Sequence, residues 1–396
     1  MNRTLALQVS SGEVWAALEE DGALIGLRVA RDGAADSVGA IYLGRIVALR
    51  PELPAALVDI GLDRPAFLDS RDADKKRGIA GLTEGAALIV EIIKAARADK
   101  AAGIRVLAPG DARLKAYDSA ARDATPPARL DRAEPASVAA AKPLLAPAPD
   151  RIVIDDRAAL VELRRALPDL APLLAFHGEA TPLFDALGIA EQVDAVLQPR
   201  VTLAAGGALI IEQTHAATLI DIDGGAQNPL AANLEAARVL ARQIALRNLA
   251  GPIVIDFIGM KKRDDRDKVA AALQAALAEN GEQPELLGWT RLGHFELVRP
   301  RRSPPLAELL DEPAPDGGRR KTALTIALDA LRRVSREAAA QPSKSFALAA
   351  HPDVAAALAE GQGRAARQAL EARLGRTLPV EADPRRAREA IDIRPA

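Results

Sequence analysis

Residues 208–258 read ALIIEQTHAATLIDIDGGAQNPLAANLEAARVLARQIALRNLAGPIVIDFI. Two apolar runs, Ala208 to Gln213 and Thr218 to Asp223, flank Thr214-His215-Ala216-Ala217 and predict a hairpin. From about Pro229 to Asn248 the apolar residues Leu234, Ala237, Leu240, Ala241, Ile244 and Ala245 recur at steps of three and four, the spacing of one helix face, and Gly251-Pro252 ends the pattern. Ile253 to Ile258 is then a nearly pure apolar strand. A helix of that length between two strands is a crossover that leaves them parallel, and such crossovers are almost always right-handed. The spacing therefore predicts that the two strands flanking the helix are neighbours in one sheet.

That prediction gives three acidic residues a common address. Side chains alternate across a strand, so Asp221 and Asp223 face the same side. Asp256 interrupts an apolar strand, where an unpaired carboxylate costs several kcal/mol, so it needs a compensating partner. If the strands are neighbours, the three carboxylates converge near the carboxyl edge of the sheet, where open α/β sheets place ligands. An all-oxygen cluster suits Mg²⁺ or Mn²⁺. A plainer reading stands beside this one: Asp223 belongs to an Asp-Gly turn, and an arginine neutralises Asp256.

Working outward, residues 36–103 hold short apolar runs, Ala40 to Leu49, Ala55 to Ile60, Ala66 to Leu68 and Ala87 to Ile93, punctuated by Pro51, Pro54, Gly61, Gly78 and Gly85. Such spacing predicts a small closed barrel of the oligonucleotide-binding (OB) type, since closure removes exposed edges. Residues 104–150 turn to Ala, Pro, Asp and Arg and have the composition of a linker, with a short helical piece around Ser137 to Lys142. Alternating strands and helices are predicted at Arg151 to Ile154, Arg157 to Leu167, Leu173 to Phe176, and Pro182 through Leu197. A proline-rich passage after Pro300 precedes a long helix, Thr322 to Ala340, and a small α/β unit. No repeat of fixed period stands out.

Composition excludes several classes. The 396 residues contain no cysteine, which rules out disulfides, thiolate catalysis and cysteine-built zinc sites. Net charge is −2, so any attraction for a polyanion must come from a local patch. Aromatic residues make up 3%, too few for an extensive stacking platform. No phosphate loop of the G-x-x-x-x-G-K-[ST] or G-x-G-x-x-G form is present. The start lacks the apolar run of a signal peptide and no stretch of about 18 uncharged apolar residues occurs, so the expectation is a cytoplasmic protein without a membrane partner.

At these residues the sequence resembles the ribonuclease E/G family of bacterial endoribonucleases. The matching text is Ile41-Tyr42-Leu43-Gly44-Arg45-Ile46, Ala55-Ala56-Leu57-Val58-Asp59-Ile60-Gly61 and Ala66-Phe67-Leu68 in the barrel. It continues with Ile211-Glu212-Gln213-Thr214, Ile220-Asp221-Ile222-Asp223-Gly224-Gly225, Asn233-Leu234-Glu235-Ala236-Ala237, Ala241 to Arg247, and Gly251 to Ile258, and closes with Arg291-Leu292-Gly293 and Arg299. The resemblance implies an α/β (α+β) multi-subdomain chain. Residues 1–35 and 151–200 would form an RNase H-like subdomain, interrupted by an OB barrel (36–103) that clamps single-stranded RNA and a linker (104–150) in place of the family's 5′ sensor. A DNase I-like catalytic subdomain (201–302), a degenerate link (303–321) and a small α/β domain (322–396) would follow. In that family the first aspartate of I-D-x-N and the aspartate of the I-V-I-D-F-I strand bind Mg²⁺; carried over, these are Asp221 and Asp256, with Asp223 standing at the asparagine. The implied activity is metal-dependent cleavage of single-stranded RNA to 5′-phosphate and 3′-hydroxyl ends in processing or decay. Phe67, Lys94, Lys100 and Arg45 are the implied RNA contacts, with Arg97 between the two lysines.

The sequence departs from the family at several places. Asp223 adds a third acidic group, which raises the demand for a cation. Gly259 stands where another acidic residue is usual, and Leu57 replaces a barrel aromatic. No counterpart of the arginine–threonine 5′-monophosphate pocket is visible, so stimulation by that group is expected to be absent. Glu312-Pro313-Ala314-Pro315-Asp316-Gly317 replaces the zinc-binding E-P-C-P-x-C stretch, so no zinc is expected, and the chain is either a monomer or a dimer not organised by zinc. Lys261-Lys262-Arg263 could hold an RNA backbone or form a solvated face, and Arg319-Arg320-Lys321 reads first as a solvated helix start. His215 is assigned no role, and His177, His294 and His351 lack the spacing of metal ligands. The alternatives to an enzyme are an RNA-binding member of the same family with an impaired site, and a scaffold in an RNA-decay complex.

Overall fold

The computed structural model describes residues 2–395 apart from 33–37, 51, 74–77, 97–99, 109, 133, 180, 215, 227, 302, 316 and 317. The chain divides into two compact units, one of residues 1–32, 135–300 and 305–396, the other of residues 33–134 and 301–304.

The first unit begins with an antiparallel meander, Arg3–Ser10, Glu13–Glu20 and Ala23–Arg31. Arg151–Ile154 joins it parallel to the first strand, and Leu174–Phe176 adds parallel to that, giving a five-stranded sheet whose chain is interrupted by the whole second unit. Alternation along Arg3–Ser10 sends Leu5 and Leu7 into a core with helices Ala136–Ala141 and Arg157–Ala166, and Ala6 into an opposite core with Leu183, Phe184 and Leu310. Glu13 is buried at the edge of this sheet. Its carboxylate accepts from Trp15 Nε1 (2.6 Å), Arg31 Nε (2.9 Å) and Arg332 Nη2 (2.8 Å). Arg31 also donates to Thr325 Oγ1 (3.0 Å), so two residues of the long helix Ala323–Ala340 close the charge.

The hairpin and crossover expected from residues 208–258 are present. Ala208–Gln213 and Thr218–Asp223 pair antiparallel, helix Pro229–Leu246 crosses over, and Gly251–Asp256 lies parallel to Thr218–Asp223. Leu240, Ala241 and Ile244 of that helix pack with Leu273 and Leu277 of helix Arg263–Glu279 on one face of the sheet. The sheet is completed by Arg200–Thr202 on one side and by Phe295–Arg299 and Glu285–Trp289 on the other. Its second face is open: Thr218–Asp223 alternates buried and exposed residue by residue. Residues 323–395 add three helices against a three-stranded sheet centred on Phe346–Ala350.

The second unit is a closed five-stranded barrel. Ile41–Arg50, Ala55–Asp59, Ala66–Asp69, Gly103–Val106 and Ala87–Lys94 pair in that cyclic order, which is consistent with an OB fold. Ile46, Val58, Leu68, Val90 and Ile104 fill its interior. The passage 104–150, expected as a linker, differs from that expectation. Its first residues complete the fifth barrel strand, Ala112–Asp123 is a helix with no buried residue, and Ala136–Ala141 is a buried helix of the first unit. The helical piece expected around Ser137 to Lys142 is thus formed, whereas the alanine- and proline-rich composition concealed Ala112–Asp123, because Ala is a strong helix former as well as a linker residue. Among the described residues no helix is long and apolar enough to cross a membrane.

Candidate active site

Asp221 and Asp256 are direct Cα partners in adjacent parallel strands. Paired residues of neighbouring strands project from the same face, so both carboxylates stand on the open side of the sheet at its carboxyl edge. Both residues are exposed. The expectation that Asp256 is enclosed in apolar surroundings is therefore corrected: it is the last residue of its strand, its side chain is 61% exposed, and its charge is solvated without a buried partner. Among the described residues neither aspartate forms an ion pair with an arginine or lysine.

Asp223 sits two residues further along, opposite Ala208. Its Oδ1 accepts from the Gly225 backbone N–H (3.0 Å), and its Oδ2 lies 4.0 Å from Arg200 Nη2. The Asp-Gly turn of the plainer reading is thus formed, while the arginine expected beside Asp256 is found beside Asp223. No three Asp, Glu, His or Cys side chains among the described residues stand together at metal-ligand spacing. The gathered elements are a register-locked pair and a third carboxylate engaged in its turn.

Two groups of side chains hold the pair from behind. Asn233, fully buried on the crossover helix, donates from Nδ2 to the Ile258 carbonyl (2.8 Å) and accepts from the Ile258 N–H at Oδ1 (3.0 Å), clamping the chain two residues beyond Asp256. Phe257, Trp289 and Phe295 form an aromatic cluster with centroids 5.3–6.3 Å apart. Because Ile255 pairs with Phe295, His294 falls beside Asp256, with Nε2 3.9 Å from Asp256 Oδ1. Sequence spacing did not single out His294. The available signal was the turn text Thr290-Arg291-Leu292-Gly293 between two aromatic runs, which marks a hairpin with His294 at its exit.

Lys261 and Lys262 are exposed just after the strand that carries Asp256, and Arg263 opens the next helix with an exposed pair to Asp267 (3.8 Å). Arg319, Arg320 and Lys321 form a strand rather than a helix start, and they are engaged: Arg319 with the Ala307 and Asp311 carbonyls, Arg320 with Glu312 (3.0 Å), Lys321 with Glu389 (3.7 Å). His177 donates from Nε2 to the Thr181 carbonyl (2.7 Å), and His351 caps helix Pro352–Ala357. His215 lies outside the described residues.

In the barrel unit, register aligns Leu57, Phe67, Gly103 and Lys94 in one row across four strands. Phe67 is half-buried and Lys94 exposed. A Cβ on Gly103 would stand 3.2–3.5 Å from the Lys94 side chain, so its absence makes room for the lysine stem on the barrel surface. Lys100 is exposed, and Arg45 is exposed opposite Asp59. Arg97 lies outside the described residues.

The Ribonuclease E/G family model matches residues 95–302, more than half of the chain. The chain belongs to the ribonuclease E/G family. Ribonuclease G of Haemophilus influenzae is 26% identical over 483 aligned positions, covering 98% of this chain and 98% of that protein. Ribonuclease G of Escherichia coli strain K12 is 27% identical over 487 positions, covering 99% of each chain. Both alignments run longer than the 396 residues here, so they hold segments without a counterpart in this family member. Ribonuclease E of Nostoc sp. is 34% identical over 184 positions, 43% of this chain and 27% of that protein.

Proposed function

We propose that this protein is an endoribonuclease that cuts single-stranded RNA in RNA processing or decay, using Mg²⁺, with Mn²⁺ as a substitute, and leaving 5′-phosphate and 3′-hydroxyl ends. The observation that carries the reading is the register pairing of Asp221 with Asp256 on an open sheet face. Two like charges held together by the backbone and matched by no guanidinium among the described residues favour a cation between them. The donor set fits: Mg²⁺ is characteristically bound by one or two carboxylates, with waters and substrate phosphates completing the shell, so a pair suffices without a closed protein cage. The ribonucleases named among the relatives support the reaction class.

Asp221 and Asp256 would hold the cation. When bound, it supplies Lewis-acid chemistry, offsetting charge that develops as water attacks a phosphodiester in line. Asp223, through Gly225 and Arg200, shapes the loop after the strand and keeps a third negative charge near the pair. Phe67 offers its ring to a base, and Lys94, Lys100 and Arg45 offer cations to the phosphates. With no cysteine to build the zinc link, the assembly is a monomer or a dimer organised otherwise.

The test is cleavage of a 5′-labelled, unstructured RNA by the purified chain across a Mg²⁺ titration, beside Asp221→Asn and Asp256→Asn. Cleavage by the unaltered chain that both substitutions reduce by at least about a hundredfold supports the proposal. Binding without cleavage at any Mg²⁺ or Mn²⁺ concentration replaces it with an RNA-binding role, and neither activity leaves the scaffold role. Asp223→Asn should raise the Mg²⁺ concentration needed for half-maximal rate; an unchanged titration would show that the third charge does not act on the site.

A further inference from the structure

We propose that a cleft in the C-terminal α/β unit binds a free nucleoside phosphate, with Arg333, Arg336 and Lys344 on the phosphates and the wall of Phe346, Ile393 and Pro395 against the nucleoside; the inference is independent of the metal reading above. The cleft has a volume of about 630 Å³, inside the range of small-molecule sites, and is lined by the second half of helix Ala323–Ala340 and by the edge strand Asp392–Pro395. Its two walls differ in kind. The helix supplies Arg333 and Arg336, three residues apart and therefore on one face, and Lys344 follows in the connection to strand Phe346–Ala350. On the sheet side Phe346 pairs with Pro395 and Leu348 with Ile393, so Phe346, Ile393 and Pro395 share the face that packs toward the helix.

Charge decides which ligand the cleft takes. Arg333, Arg336 and Lys344 are exposed, and among the described residues none of the three side chains has an ion-pair or hydrogen-bond partner. The two acids that line the same cleft are already engaged. Glu337 Oε2 accepts from Gln341 Nε2 (3.2 Å), and Asp392 Oδ2 accepts from both Arg386 Nη2 (2.9 Å) and Arg394 Nε (2.6 Å). The cleft is therefore cationic although the whole chain carries a net charge of −2. The helix dipole does not account for the two arginines: its pull on cations is confined to the last turn, and that turn of Ala323–Ala340 holds no basic residue. Like charges three residues apart on a helix repel each other, and a phosphate that accepts from both guanidiniums offsets the repulsion. The apolar wall opposite suits a ligand with a flat, weakly polar end; inorganic phosphate would leave it uncovered.

The test is calorimetric titration of the full chain with ADP, inorganic phosphate and adenosine in the presence of EDTA, so that no cation held at Asp221 and Asp256 contributes. ADP should bind at a single site, at least about tenfold more tightly than either inorganic phosphate or adenosine. Arg333→Ser together with Arg336→Ser should weaken ADP binding at least about tenfold, and Lys344→Ala about threefold, with native circular dichroism kept. All three side chains are exposed, so these changes leave the core intact. Asp221→Asn and Phe67→Ala should leave ADP affinity within about twofold. No saturable binding of ADP, an affinity that the double variant does not change, or inorganic phosphate binding as tightly as ADP overturns the proposal. So does loss of ADP binding in Asp221→Asn or Phe67→Ala, which would put the ligand on the metal pair or the barrel. A double variant that loses single-stranded RNA while keeping ADP overturns it as well, by making the patch part of the RNA path. None of these titrations reads cleavage, so the endoribonuclease reading stands or falls separately.

Discussion

Asn233 should be the side chain whose loss most directly loosens the candidate site without touching it. It is fully buried, and both of its hydrogen bonds go to one backbone unit, that of Ile258. In Asn233→Ala the Ile258 N–H and carbonyl both lose their partner. A buried group left unsatisfied costs about 1–3 kcal/mol, and Ile258 is only half-buried, so water restores part of the loss. The expected destabilisation is about 2–3 kcal/mol. Since about 1.4 kcal/mol is tenfold in an equilibrium, amide exchange at Ile258 should quicken by at least about thirtyfold. The assay is site-resolved hydrogen exchange, with a urea midpoint followed by tryptophan fluorescence, for which Trp289 against Phe257 is a reporter two contacts from the mutation. If the segment carrying Asp256 shifts, RNA cleavage should fall by about tenfold or more with fold and circular dichroism kept. Exchange at Ile258 within twofold of the unaltered chain would refute the clamp.

Three further outcomes follow from the same geometry. Burial pushes the Asp155 carboxyl up to about 6, against the pull of its bond from the Val9 N–H (2.7 Å). Its folded value lies above the ordinary one, so the stability it contributes is present below about pH 4 and is lost as pH rises through 6; Asp155→Asn should flatten that loss, about 2–3 kcal/mol at most, in urea midpoints taken between pH 4.5 and 7.5. Phe67→Ala should weaken RNA binding by about 1–3 kcal/mol in a fluorescence titration, and Leu57→Phe, its row neighbour, should strengthen it; an unchanged affinity in both would remove the row from the RNA path. Lys94→Ala should reduce the slope of log affinity against log salt by about 0.7, and an unchanged slope would show that this lysine meets no phosphate.

The core of the candidate site was legible because local signals agreed with one another. The hairpin bounds expected from the apolar runs match those formed, and the crossover put Asp221 beside Asp256 as its length required. The barrel strands were legible for the same reason, glycine and proline punctuation around short apolar runs. What escaped was set by tertiary context. Helix Arg263–Glu279 opens on Arg, Asp and Lys, so its charged first turns hid the Val269, Leu273 and Leu277 stripe. The strand Gly103–Val106 is too short to stand out and exists because barrel closure needs a fifth member. His294 carries no spacing signal at all; it reaches Asp256 only through the pairing of Ile255 with Phe295. Asp256 was expected to be enclosed because its neighbours in sequence are apolar, but a strand's last residue takes its surroundings from the sheet edge rather than from its run.

The carboxylate of Glu13 has a consequence for how this polypeptide is made. Its buried charge is balanced by Arg31, which a ribosome delivers soon after it, and by Arg332, which emerges only after most of the remaining chain has been synthesised. Until then the N-terminal meander holds an acid that burial penalises and only one guanidinium to answer it. Vectorial synthesis therefore keeps the edge of the first sheet provisional, and a fragment cut before Ala323 would lack both Arg332 and Thr325 and lose the ordered sheet edge on which its own beginning depends.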